Sequence, residues 1–121
     1  MKKTIIPFLA VILLIAFGSA VHAQDVCKSN PTHCKVLTDT AGVKMMLITL
    51  KPGEKLATHT HPWNFGYVLK GGLYKWTYSD GKTESAQMKE GDSFAGAPEG
   101  THHSWNAGKT TIQFVLYEKQ D

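Results

Sequence analysis

His59-Thr60-His61 places two imidazoles at positions i and i+2. On a β-strand such positions point the same way, so both rings project from one face and Thr60 from the other. Paired neutral imidazoles suit borderline divalent metals, here iron, manganese, zinc, nickel or copper. A third imidazole is available much later in the chain, in His102-His103. Period 2 divides these neighbours. His102, Ser104 and Asn106 share one face, and His103 and Trp105 share the other. The metal ligands read from the sequence are therefore His59, His61 and His102, with His103 as the alternative third ligand. An ordinary strand histidine pair that holds no metal stands beside this reading. Other chemistries find fewer residues. All 13 basic residues are Lys and none is Arg, so no bidentate fork exists for phosphate or guanine, and nucleic acid is not an expected partner. No Ser-His-Asp arrangement, phosphate-cradling glycine loop or cysteine nucleophile is readable.

Rigid elements must hold these rings. The apolar segments are short, and each ends at a turn signal. Val36-Leu37 leads to Asp39-Thr40-Ala41-Gly42, and Val43 to Leu50 is cut by Pro52-Gly53. Tyr67-Val68-Leu69 runs to Gly71-Gly72, and Leu73 to Tyr78 stops at Ser79-Asp80-Gly81. Thr83 to Met88 ends at Glu90-Gly91-Asp92, and Phe94 lies in a strand ending near Pro98. From Thr111 to Tyr117 the chain alternates, with Ile112, Phe114 and Leu116 on one face. This spacing predicts an all-β domain, a sandwich or a small barrel. Asp80-Gly81 reads as a hairpin turn that needs a positive φ. No segment after the amino terminus sustains the helical period over ten residues.

Two blocks of this chain resemble the paired motifs of the cupin superfamily. In the first, Gly53 stands six residues before His59-Thr60-His61, and Tyr67-Val68-Leu69-Lys70-Gly71 follows. In the second, Gly91-Asp92-Ser93-Phe94 leads to Pro98-Glu99-Gly100-Thr101-His102, with Asn106 four residues beyond that histidine. The superfamily patterns are G-x5-H-x-H, a glutamate and a later glycine, then G-x5-P-x-G-x2-H-x3-N. Three departures stand out. The glutamate of the first motif is missing; Asn64 or Phe65 falls near its place, and Asn64 would be a neutral, weaker ligand. The spacing from Gly91 to Pro98 is one residue long, and that from Gly100 to His102 one residue short. His103 would restore the second spacing but bring Asn106 a residue too close. The resemblance implies a small jelly-roll β-barrel of six to eight strands with a metal inside one mouth. It implies no single activity, because cupins include oxygenases, isomerases, decarboxylases and non-catalytic binders.

Trp63, Tyr67, Trp76, Phe94 and Trp105 crowd the same central stretch. As a group they suggest an apolar pocket for a small aromatic or hydrophobic ligand. The amino terminus carries a different message. Met1-Lys2-Lys3, the apolar run Ile5 to Phe17 and Val21-His22-Ala23 have the layout of a secretory signal peptide cleaved after Ala23. The run is short for a membrane anchor, which needs about 20 residues. Residues 1–23 include two of the 13 Lys and none of the 10 acids, so the remaining chain is almost neutral and no membrane partner is expected after cleavage. Periplasmic or secreted protein meets oxidising conditions, where Cys27 and Cys34 would close a small disulfide loop. A thiolate site that also uses His33 is the alternative. The organisation read from the sequence is thus a signal peptide (1–23), an amino-terminal segment with the disulfide (24–34) and a cupin-like domain (35–121). Three functional readings follow. The chain is a metal-dependent enzyme such as a three-histidine oxygenase, isomerase or lyase; a binding module for a metal or small ligand; or a metal-free structural cupin, paired as a homodimer through edge strands.

Overall fold

The computed structural model describes residues 25–120. The segment read as a signal peptide lies outside the described residues. One helical turn, α1 (Val26–Ser29), precedes nine strands. These are β1 (Cys34–Thr40), β2 (Val43–Leu50), β3 (Lys55–His61), β4 (Asn64–Lys70), β5 (Gly72–Tyr78), β6 (Thr83–Met88), β7 (Ser93–Gly96), β8 (Glu99–Asn106) and β9 (Ile112–Lys119). All pair antiparallel, in a five-stranded sheet of order β1-β2-β9-β4-β7 and a four-stranded sheet of order β3-β8-β5-β6. The all-β jelly-roll expectation holds, with nine strands among the described residues where the motifs implied six to eight. The single turn of α1 is too short to leave a helical period in the sequence. Among the described residues no helix is long and apolar enough to cross a membrane.

Alternation builds the core. Met46, Ile48 and Leu50 on β2 pair across the ladder with Leu116, Phe114 and Ile112 on β9, and all six are buried. Removing such a side chain from water contributes about 1.5–3 kcal/mol. The same face continues into polar ground, because Lys44 pairs with Glu118 in that register and both are buried. Lys44 also forms an ion pair with Asp25. Asp25 caps α1, accepting hydrogen bonds from the backbone N–H groups of Cys27 and Lys28. The β5–β6 hairpin turns at Asp80-Gly81 as its sequence demands, with Gly81 at φ +92°.

Two bulges interrupt the β3–β8 ladder. Leu56 pairs with Ser104 and His59 with His102, so β3 carries one extra residue between them. His61 then pairs with Glu99, so the next extra residue belongs to β8. The first bulge lets Leu56 and His59 both face inward although they are three positions apart, leaving Ala57 and Thr58 exposed. It is held from outside its own sheet. Asn30, buried just after α1, donates from Nδ2 to Val26 O and accepts the Ala57 N–H at 2.7 Å. The Cys27–Cys34 disulfide closes this amino-terminal clip onto the start of β1.

Candidate metal centre

His59 follows the β3 bulge and is wholly buried. Its Nδ1 lies 2.6 Å from Ala57 O, two residues back. His102 repeats the arrangement on β8, with Nδ1 3.0 Å from Gly100 O. A carbonyl can only accept, so each ring donates from Nδ1, and in the neutral imidazole Nε2 is left as a lone pair. His61 Nδ1 is 2.6 Å from Oε2 of Glu118, a carboxylate buried on the inner face of β9. All three histidines therefore have Nδ1 engaged by an oxygen, the arrangement that orients imidazoles toward a metal.

The three rings converge, with centroids 4.5 Å apart for His59 and His102, 4.7 Å for His59 and His61, and 5.2 Å for His61 and His102. One potential ligand atom from each lies within 4.8 Å of the others. Imidazole nitrogens on one tetrahedral ion stand roughly 3.4 Å apart, so closing the set takes up to roughly 1.5 Å of approach. The decisive atom is His59 Nε2, which is buried and has no hydrogen-bond partner. Leaving such an atom unmatched costs about 1–3 kcal/mol, a cost that a bound cation removes. Burial also favours the neutral form of His59 and His102. Burial first, then repulsion from His61 and His102, depresses the His59 pKa to about 3 against the pull of Ala57 O. Burial likewise lowers that of His102. The donor set thus fits a divalent metal.

The other sequence candidates lie differently. His103 is exposed on the outer face of β8, stacked on Trp105 with ring centroids 6.0 Å apart. Asn64 points inward, but its NH2 group donates to Pro62 O at 3.0 Å and Gly96 O at 3.4 Å. A pocket of about 440 Å³ opens beside His61 and His102, walled by Ile48, Leu56, Val68, Phe114 and Leu116. Trp76 and Phe94 line it. Trp63, Tyr67 and Trp105 do not. Asn64, Gly66 and Val68 take the inner face of β4, which turns Tyr67 outward, and Trp63 lies exposed in the β3–β4 connection. Trp105 shares the outer face of β8 with His103. Tyr74 lines the pocket too, and two groups escaped the sequence reading: Glu118 behind His61, and Tyr78 in the pocket wall. Tyr74 donates to Ser104 Oγ at 2.7 Å, and burial pushes its pKa up to about 12.

A family model described as Cupin domain matches residues 46–117. The chain belongs to the cupin family. Solved cupins share its architecture. A cupin domain from Bordetella pertussis Tohama I superposes with a TM-score of 0.66 at 21% identity, covering 73% of this chain and 92% of that one. An RmlC-like cupin family protein with a double-stranded β-helix fold from Methanocaldococcus jannaschii gives 0.61 at 17%, covering 85% and 94%. An uncharacterized conserved protein with a double-stranded β-helix domain from Klebsiella pneumoniae gives 0.59 at 19%, covering 84% and 90%. At these identities the likeness establishes the fold of this cupin and nothing finer. No curated protein matches it.

Proposed function

We propose that this cupin is an exported protein that binds one divalent metal ion through His59, His61 and His102 and uses it on a small, largely apolar or aromatic molecule in the adjoining pocket. One observation carries the reading: three imidazoles with Nδ1 already engaged turn toward one another, and the buried Nε2 of His59 has no partner. The pocket volume of about 440 Å³ suits a small molecule, and its walls are chiefly apolar. Without Arg, the chain has no fork to clamp a carboxylate substrate. When bound, the ion supplies a Lewis-acid centre with positions open for water and for a ligand oxygen. The chain's own residues prepare that centre. Glu118 fixes the ring of His61, Ala57 O and Gly100 O fix the other two, and Leu56, Phe94 and Phe114 give the pocket an apolar lining. Metal-dependent oxygenase, isomerase or lyase chemistry is the enzymatic form of this reading; ligand storage without turnover is its non-catalytic form. Export is supported by residues 1–23, and exported protein is expected to begin at Gln24 by intact mass.

Elemental analysis of untagged protein from its native compartment tests the metal directly. His59→Ala, His61→Ala and His102→Ala should each lose most of the bound metal while keeping a β-rich circular dichroism spectrum. His103→Ala should keep its metal. Equal metal content in all four variants and wild type would overturn the site. Oxygen uptake with small aromatic compounds then separates an oxygenase from a binder.

A further inference from the structure

Building on the metal-binding reading above, we propose that Glu99 is a fourth, anionic ligand of the same ion. The register of β3 and β8 places it there. His59 faces His102 and His61 faces Glu99, so four donor residues form a two-by-two block on adjacent antiparallel strands. Directly opposed residues have Cβ atoms about 4.5–5.5 Å apart, within reach of one ion for side chains of this length. The β8 bulge between Glu99 and His102 brings their side chains together: Glu99 Oε1 lies 3.9 Å from His102 Nε2. That distance is too long for a hydrogen bond. It suits two atoms that share a third between them. Nε2 is also the nitrogen that His102 leaves free when Nδ1 engages Gly100 O.

The carboxylate is held at its far end. Glu99 Oε2 accepts the Tyr78 O–H at 2.9 Å, and Tyr78 Oη accepts the Trp76 N–H at 3.0 Å. Among the described residues no donor is hydrogen-bonded to Oε1. One oxygen is thus anchored and the other left free beside the imidazoles, a division of labour seen where outer groups orient a ligating carboxylate. The other carboxylates lining these cavities are engaged elsewhere: Glu84 pairs with Lys82, Asp92 accepts the Lys89 N–H and Asp25 pairs with Lys44. Glu118 is engaged by His61 Nδ1, and Asn64 brings a neutral amide whose NH2 is bound to backbone carbonyls. A Glu99 ligand lowers the charge of the site from +2 to +1. It also adds a hard oxygen donor that favours manganese or iron over softer ions.

The experiment uses the full exported chain, stripped of metal and reloaded with Mn²⁺ or Co²⁺ alone. Glu99→Gln keeps the shape and an acceptor oxygen but removes the charge. Its Mn²⁺ affinity by chelator competition should fall at least about 100-fold, the upper end of what outer-shell partners are worth. The visible spectrum of the Co²⁺ form should change, reporting a different ligand set. Tyr78→Phe leaves Glu99 in place but frees Oε2, and should weaken Mn²⁺ by a smaller factor, about 10-fold. Wild-type affinity and an unchanged Co²⁺ spectrum in Glu99→Gln would overturn the Glu99 assignment and leave the three-histidine site standing. Failure of wild-type protein to bind either ion would overturn both.

Discussion

At the scale of single residues, each imidazole depends on the oxygen behind it. Glu118 is the sharpest case, because it is the only one of the three that is a side chain. Buried on β9, it holds His61 by Nδ1 and fixes which nitrogen faces the site. Glu118→Gln replaces an anion that can only accept with an amide that can also donate, so the ring loses its enforced tautomer. Metal affinity should fall roughly 10- to 100-fold with little change in the β-rich spectrum. Unaltered affinity would mean that His61 needs no orienting partner. Period 2 made the inner histidines legible in the sequence: β8 alternates as its pattern demands, so His102 enters the cluster and His103 meets Trp105 outside. The same rule applied to β4 would have turned Tyr67 outward, since it lies one position from Val68. Glu118 was not legible. It sits 57 positions from His61, at the polar end of a strand whose other inward residues are apolar, and nothing local marks it as a partner.

Between residue and fold stand the bulges and the clip that braces them. The sequence shows turns and alternation but not bulges, because the extra residue is visible only against a partner strand. His59 and His61 still share a side because the β3 bulge precedes both. Asn30 ties that bulge to α1, and the disulfide ties α1 to β1, so the amino-terminal segment supports the carbonyl that orients His59. Asn30→Ala leaves the part-buried Ala57 N–H without its acceptor, at a cost of about 1 kcal/mol. It should lower metal affinity as well as thermal stability, because the loosened bulge carries Ala57 O. Reducing the disulfide should cost about 2.5 kcal/mol by loop-closure entropy. A paired measurement of melting temperature and Mn²⁺ affinity reads both effects. Loss of stability with wild-type affinity in Asn30→Ala would show that the clip braces the barrel but not the site.

Across the whole molecule, metal binding and protonation compete for the same buried nitrogens, and folding feels both. His59 titrates near 3 when folded and near 6.5 when unfolded, because burial opposes its charge. His102 shifts the same way for the same reason. Between those values the unfolded chain binds more protons, so the metal-free protein should lose stability as pH falls below about 6.5, the loss accumulating toward about 3. Asp25 adds to this only at the acid end. Burial alone would raise its pKa, but the hydrogen bond and charge of Lys44 together with the Lys28 and Cys27 N–H groups outweigh that and hold it below the usual 3.8, so its contribution is lost as pH falls below that value. A metal bound only to the folded state stabilises it by about 2.7 kcal/mol at a hundred times its dissociation constant. For a domain near 100 residues that corresponds to a melting-temperature rise of roughly 10–20 °C. Burial keeps His59 unprotonated down to about pH 3, so protons compete with the metal for that ring only near that value, and the rise should be as large at pH 5 as at pH 7.5 and shrink only toward pH 3 for the same free metal. Differential scanning calorimetry with and without Mn²⁺ at the two pH values measures it. A rise already lost at pH 5 would mean that protons compete for the ligands near the free imidazole value, and the buried His59 would not be among them.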